Sequence, residues 1–199
     1  DMSYLEDIVA HKSIEFVRVH YLDLMSENKD ETDVDKSLDN LKQIFEKLKE
    51  LEKDGIIEKK ADIQTMEIPD GVTEINFFAF DGCTNLESVE IPDSVRKIGM
   101  SAFSDCKKLS NISLPKQLES IESGAFSNCV LLREIELPEG IKSIRPKVFL
   151  NCHSLESITF SDKLSEIGES AFANCENLKS IDLPNSLESI DNFAFKGCS

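Results

Sequence analysis

The sequence predicts an α/β repeat solenoid, preceded by a small helical segment. Three observations carry this reading. Six Cys recur at a constant step of 23 residues: Cys83, Cys106, Cys129, Cys152, Cys175 and Cys198. Six Phe (Phe80, Phe103, Phe126, Phe149, Phe172, Phe195) and six Ile (Ile75, Ile98, Ile121, Ile144, Ile167, Ile190) keep the same step. Ahead of the first repeat lies an apolar stripe of helical spacing, Leu38, Leu41, Phe45 and Leu48. A repeat with no insertion or deletion is the signature of a stack in which each coil touches only its neighbours.

In chain order, residues 1–67 form an N-terminal helical cap or segment, and residues 68–199 form the solenoid. Five complete units run 68–90, 91–113, 114–136, 137–159 and 160–182, and a partial sixth runs 183–199. In the N-terminal segment, Ile44 and Leu51 widen the helical stripe, Asp33 or Asp35 caps its start and Gly55 ends it. Residues 3–25 form a first helix, although residues 14–22 also alternate like a strand. The polar stretch 26–35 links the two. A solenoid end leaves the apolar face of its last coil open, so this segment is read as a cap, with Phe77 and Phe78 of the first unit as its contacts. Its sharper alternative is a dimerising helix pair or a recruitment domain.

Within unit 114–136 the inward positions are Leu114, Leu118, Ile121, Ala125, Phe126, Cys129, Leu132 and Ile135. Ile135 and Leu137 alternate with Glu134 and Glu136, the period of a strand with one buried face. Val89/Ile91, Ile112/Leu114, Ile158/Phe160 and Ile181/Leu183 are its equivalents. Pro92, Pro115, Pro138 and Pro184 follow these strands and stop them, because Pro donates no ladder hydrogen bond. A second extended piece is expected at 118–121 and its equivalents. The Ala-Phe-x-x-Cys stretch reads as a helical turn. Gly82, Asp105, Asn128, Asn151, Asn174 and Gly197 precede the Cys and tolerate the positive φ of a sharp turn.

The stretches IPDSVRKIGMSAFSDCKKLSNIS and LPNSLESIDNFAFKGC closely resemble the BspA-like, Treponema-type leucine-rich repeat family. The resemblance covers residues 68–199. It implies right-handed leucine-rich-repeat coils with a parallel sheet on the concave face. It also implies protein recognition, often as a cell-surface or secreted adhesin, and transfers no catalytic residue. Unit 160–182 departs from the motif with Ser161 in place of Pro, and unit 137–159 with Pro146, Val148 and Leu150. Those departures predict local irregularity on the convex side.

Composition narrows the function. With 22 Lys+Arg against 38 Asp+Glu the formal net charge is −16, shared equally between residues 1–67 and 68–199. Phosphate backbones and anionic membrane surfaces call for clustered cations, so neither is an expected partner, and no apolar run approaches the roughly 18 residues that cross a bilayer, so no membrane insertion is expected. Trp is absent and Tyr occurs twice, which disfavours aromatic platforms for sugars or nucleotides. There is no glycine-rich phosphate loop, nucleophile elbow or HExxH, so the reading is not an enzyme, without cofactor. The Cys column reads as a ladder of buried free thiols, each a compact hydrophobe, rather than disulfides. No CxxC occurs and His11, His20 and His153 lack ligand spacing, so no metal site is expected.

The expected function is a non-catalytic protein–protein interaction module, an adhesin or a scaffold. Its concave face offers two polar columns, Ser88, Asn111, Glu134, Ser157, Ser180 and Glu90, Ser113, Glu136, Thr159, Asp182, suited to a basic protein partner. A second contact candidate is the apolar patch Val130, Leu131 and Leu150. His153 reads as an exposed residue. The alternative is a self-association module, a homo-oligomer through the N-terminal helices or the C-terminal edge, or a fragment whose activity lies beyond Ser199. Taking Met2 as the native start implies a cytoplasmic protein without signal peptide; the resemblance implies the cell surface. Reduced thiols fit the reducing compartment.

Overall fold

The computed structural model describes residues 63–198 apart from Pro69. The N-terminal helices, their linker and their role as a cap fall on residues outside this range. The described chain is a parallel β-solenoid whose strands lie on two faces, in every unit on one and with gaps on the other, with a third, turn-rich face closing each coil.

The first face carries three-residue strands: β1 (Thr65–Glu67), β3 (Ser88–Glu90), β6 (Glu134–Glu136) and β8 (Ser157–Thr159). In β3, β6 and β8 the central residue is buried and its neighbours exposed, as the Ser-Val-Glu, Glu-Ile-Glu and Ser-Ile-Thr alternation requires. The second face carries two-residue strands: β2 (Glu74–Ile75), β4 (Lys97–Ile98), β5 (Ser120–Ile121), β7 (Ser143–Ile144), β9 (Glu166–Ile167) and β10 (Ser189–Ile190). Every pairing is parallel and offset by one repeat, so Ile75 lies beside Ile98 and Ile135 beside Ile158.

The ladder starts before the first complete unit. β1 pairs with β3, setting Thr65 beside Ser88 and Glu67 beside Glu90. Ile63 is also buried. The sequence carried this signal, since Ile63 and Met66 stand one period ahead of Leu86 and Val89.

Two sequence expectations are corrected. The helical part of the α/β assignment is absent: no helix occurs among the described residues. Ala-Phe-x-x-Cys instead forms single turns closed by bonds such as Cys83 N–H to the Phe80 carbonyl, 3.0 Å. A left-handed residue just ahead of each Cys, with φ of 60° at Asn128 and Asn151, stops the turn from propagating. Second, residues 111–113 and 180–182 join no strand ladder. The first face is therefore two paired ribbons, β1–β3 and β6–β8. The physical difference lies in the residue after the strand. Ile68 and Leu137 are buried and donate their N–H to the Glu90 and Thr159 carbonyls of the next coil. Their equivalents Ile91, Leu114 and Phe160 are only half-buried and donate none to the next coil, so the strand ends stand off.

The third face never breaks. At each of five junctions between coils, three N–H groups donate to the next coil, as Phe126 does to Val148 at 2.9 Å and Asn128 to Leu150 at 2.8 Å. Two left-handed residues per coil aim these donors. One set is the residue before Cys, as expected. The other is Phe78, Ser101, Gly124, Lys147, Ser170 and Phe193, with φ between 52° and 67°. Only one of these is Gly, so composition did not reveal the column.

Inside, the Phe rings stack nearly parallel, with centroids 5.0–5.7 Å apart and interplanar angles of 1–13° from Phe80 through to Phe195. Five of the six Cys are buried and none of the six joins a disulfide; Cys198, like Phe195, is half-buried. Cys106, Cys129, Cys152, Cys175 and Cys198 each donate Sγ–H to the carbonyl of the Phe 26 residues earlier, at 3.2–3.3 Å. The thiol is thus a donor to a main-chain acceptor as well as a small hydrophobe. Burial pushes the Cys129 and Cys152 thiols well above the usual range and that of Cys175 to about 12, so they stay neutral.

Candidate functional site

The ten residues of the two polar columns are all exposed on the first face, and the structure adds Thr65 and Glu67 at their head. They are not equivalent. Ser113, Glu134, Glu136, Ser157 and Thr159 line a shallow cleft of about 410 Å³, together with Lys116 and Pro138 and above the Ile112 and Ile135 backbone rows. Ser88, Glu90, Asn111, Ser180 and Asp182 lie outside it. The cleft forms where β6 meets the unladdered segment 111–113, and β8 makes its other wall.

Glu134 and Glu136 flank buried Ile135 and point outward. Among the described residues neither joins an ion pair; the pairs present are Lys97–Glu74, Lys107–Asp105, His153–Glu176 and Lys163–Glu139. Two carboxylates on one strand, bordered by hydroxyls, can accept several hydrogen bonds from cationic side chains. No group of three metal-ligating side chains occurs among the described residues, and no helix there is long and apolar enough to cross a membrane.

The apolar patch is less open than its composition implies. Leu131 is exposed, while Val130 and Leu150 are half-buried. The Val130 and Leu150 carbonyls accept bonds from Ser154 and Asn128, which fixes their backbone in the stack. Phe77 and Phe78, the expected cap contacts, are exposed and packed edge to face, ring centroids 6.0 Å apart. His153 is half-exposed, with Nδ1 3.3 Å from Glu176 Oε1 in a geometry that makes no aligned hydrogen bond.

A second cleft, which sequence reasoning missed, lies on the face of the two-residue strands. It is about 650 Å³ and carries Lys116, Lys142, Arg145 and Lys163 alongside Glu119 and Glu139. These cations occupy four different positions of the repeat. Only stacking brings them together, so no column in the sequence announces them.

With this geometry in place, the comparisons define the class. The chain matches the BspA type Leucine rich repeat region over residues 53–164 and 142–199, in six copies. It belongs to that family. Among solved structures it is similar to a leucine-rich repeat protein of T. pallidum: 39% identity, TM-score 0.59, covering 63% of this chain and 60% of that one. A leucine-rich repeat protein from Bacteroides ovatus shares 38% identity at TM-score 0.67, over 71% of this chain and 37% of its own. A leucine-rich cell surface protein from Faecalibacterium prausnitzii shares 33% at TM-score 0.53, over 59% and 38%. The chain thus spans less than two thirds of the length of these relatives. No curated protein matches it.

Proposed function

We propose that this chain is a non-catalytic protein–protein interaction module whose first face receives a basic surface of another protein. The observation that carries the reading is the cleft of about 410 Å³ holding Glu134 and Glu136 without an internal cation partner. An overall charge of −16 steers a basic partner toward it. The cell-surface relative from Faecalibacterium prausnitzii supports an adhesin role over a scaffold. Family membership supports binding without turnover.

The test is charge reversal. Glu134→Lys/Glu136→Lys weakens binding of a fluorescent Lys/Gly-alternating dodecapeptide by roughly tenfold at low salt, about 1.4 kcal/mol. The difference shrinks in high salt, where exposed charges are screened. Equal binding by parent and variant at low salt removes this face from consideration.

A further inference from the structure

We propose that the second cleft, which shares only Lys116 with the first, is a binding site of its own for an acidic, extended peptide segment of a partner protein. Residues 68–199 contain 12 Lys and Arg, and four of these line this one cleft in a strongly acidic chain. The concentration is not spent internally. Lys163 makes an exposed 3.8 Å contact with Glu139, and Lys116, Lys142 and Arg145 have no ion pair among the described residues.

The backbone gives an independent reason. On this face each coil donates two N–H groups back to its predecessor, for example Glu119 to Arg96 at 2.7 Å and Glu122 to Ile98 at 2.9 Å. Ser165 and Gly168 do the same to Lys142 and Ile144, each at 2.8 Å. At the junction between β5 and β7 the ladder stops. The N–H groups of Lys142 and Arg145 find no backbone acceptor among the described residues. The second face is therefore split into β2–β4–β5 and β7–β9–β10, and the split lies within the cationic cleft.

Two residues bracket the break. A Cβ on Gly140 would collide with the Leu118 carbonyl, so the coils close tightly there. At the equivalent positions Ser94 and Ser186 bridge the coils with a hydroxyl instead, to the Val72 and Leu164 carbonyls. On the other side Pro146 follows Arg145, and a proline disfavours helical backbone in the residue before it. Cations on both sides of the break select carboxylates, and their spread across several coils suits an extended chain. Interspersed Glu119 and Glu139 disfavour a uniformly charged polyanion, which a peptide with spaced carboxylates avoids.

The test uses the full chain and a fluorescent dodecapeptide of alternating Glu and Gly, with a heparin fragment of similar charge as comparison. Lys142→Glu/Arg145→Glu lowers peptide affinity at least roughly tenfold at low salt. Glu134→Lys/Glu136→Lys does not lower it, which separates this site from the acidic cleft of the other face. Both pairs are exposed, so thermal melting stays at the parent value and misfolding is not the cause. Peptide binding that is absent, or unchanged in Lys142→Glu/Arg145→Glu, overturns the proposal. So does heparin binding more tightly than the peptide with the same dependence on Lys142 and Arg145.

Discussion

The third face and the second face are built from the same repeats and behave differently. On the third face, all five junctions keep three inter-coil hydrogen bonds, whatever residue occupies the surface. On the second face one junction loses its ladder completely. The third face lies against the Phe stack, the Cys column and the Asn ladder, where each residue packs against its own copy. A coil that departs would lose a stacked ring and a thiol bond together, and from Asp105 to Asn174 a side-chain amide bond as well. The second-face strands are two residues long and have little to lose. Regularity is thus enforced from within, and the strand faces are free to vary where partners meet them.

The largest perturbation of that contrast is a core truncation. Phe126 is fully buried between Phe103 and Phe149, at 5.4 and 5.7 Å. Phe126→Ala removes two ring contacts and leaves a cavity, costing about 3–5 kcal/mol in urea unfolding. Leu131→Ala costs less, about 0.5 kcal/mol or under, since that side chain is exposed within the stack. Equal costs would mean that the column does not hold the coils together.

Next comes the Asn ladder. Asn151 Nδ2 donates to Asn128 Oδ1 at 2.8 Å, and Asn174 Nδ2 donates to Asn151 Oδ1 at 2.7 Å. Asn128 in turn reaches Asp105 at 3.2 Å. Asn151 also holds a φ of 60°. Asn151→Ala loses both bonds and strains the backbone, about 2–3 kcal/mol in all. Asn151→Gly keeps the φ and loses only the bonds, about 1 kcal/mol. Identical losses for the two variants would show that backbone conformation contributes nothing.

These two experiments bear on what could be read from the sequence. The interior was legible because packing on identical copies demands identical residues: the Cys, Phe and Ile columns and the turn before Cys are periodic in plain letters. The positions of the columns around Glu134 and Glu136 follow from the periodic Val and Ile between them, although their own letters vary. What escaped reading has no periodic letter. The second left-handed column accepts Phe, Ser, Gly and Lys, so its φ does not depend on one side-chain type. The cationic cleft escaped because Lys116, Lys142, Arg145 and Lys163 converge across coils, not along one column. The expected helical turns failed because apolar spacing of three to four also suits a single closed turn. The departures at Pro146, Val148 and Leu150 were placed on the convex side; the third face stays regular there, and the break falls on the second face.

The thiol column gives a smaller, pH-linked effect. Unfolded thiols ionise near about 8.5. Burial raises them in the folded chain, to about 12 for Cys175 and well above the usual range for Cys129 and Cys152. Between these limits the folded state holds more protons than the unfolded state, so stability is full below pH about 8.5 and falls as pH rises. Unfolding midpoints measured at pH 8 and pH 10 show the drop. It is shallower in Cys129→Ala/Cys152→Ala, and an unchanged slope in that variant would mean the thiols are not its source.

The smallest effect is local and addresses the break itself. Glu119, Glu122, Ser165 and Gly168 donate their amides to the preceding coil, at 2.7, 2.9, 2.8 and 2.8 Å. Lys142 and Arg145 hold the same positions in the repeat without that bond. Amide hydrogen exchange is governed by local opening, so Lys142 and Arg145 exchange on the order of tenfold faster than the other four. Global stability is unaffected, because the third face of the same coil keeps Gly124, Phe126 and Asn128 bonded to Pro146, Val148 and Leu150. Pro146→Ala distinguishes the two brackets of the break. With the ring gone, Arg145 is released from the restriction that a following proline imposes, and its N–H regains the Ile121 carbonyl and slow exchange. Lys142, next to the tight approach of Gly140 to Leu118, stays fast. If both amides slow together, Pro146 alone sets the break; if neither does, the Gly140 contact sets it, and proline only occupies a gap already made.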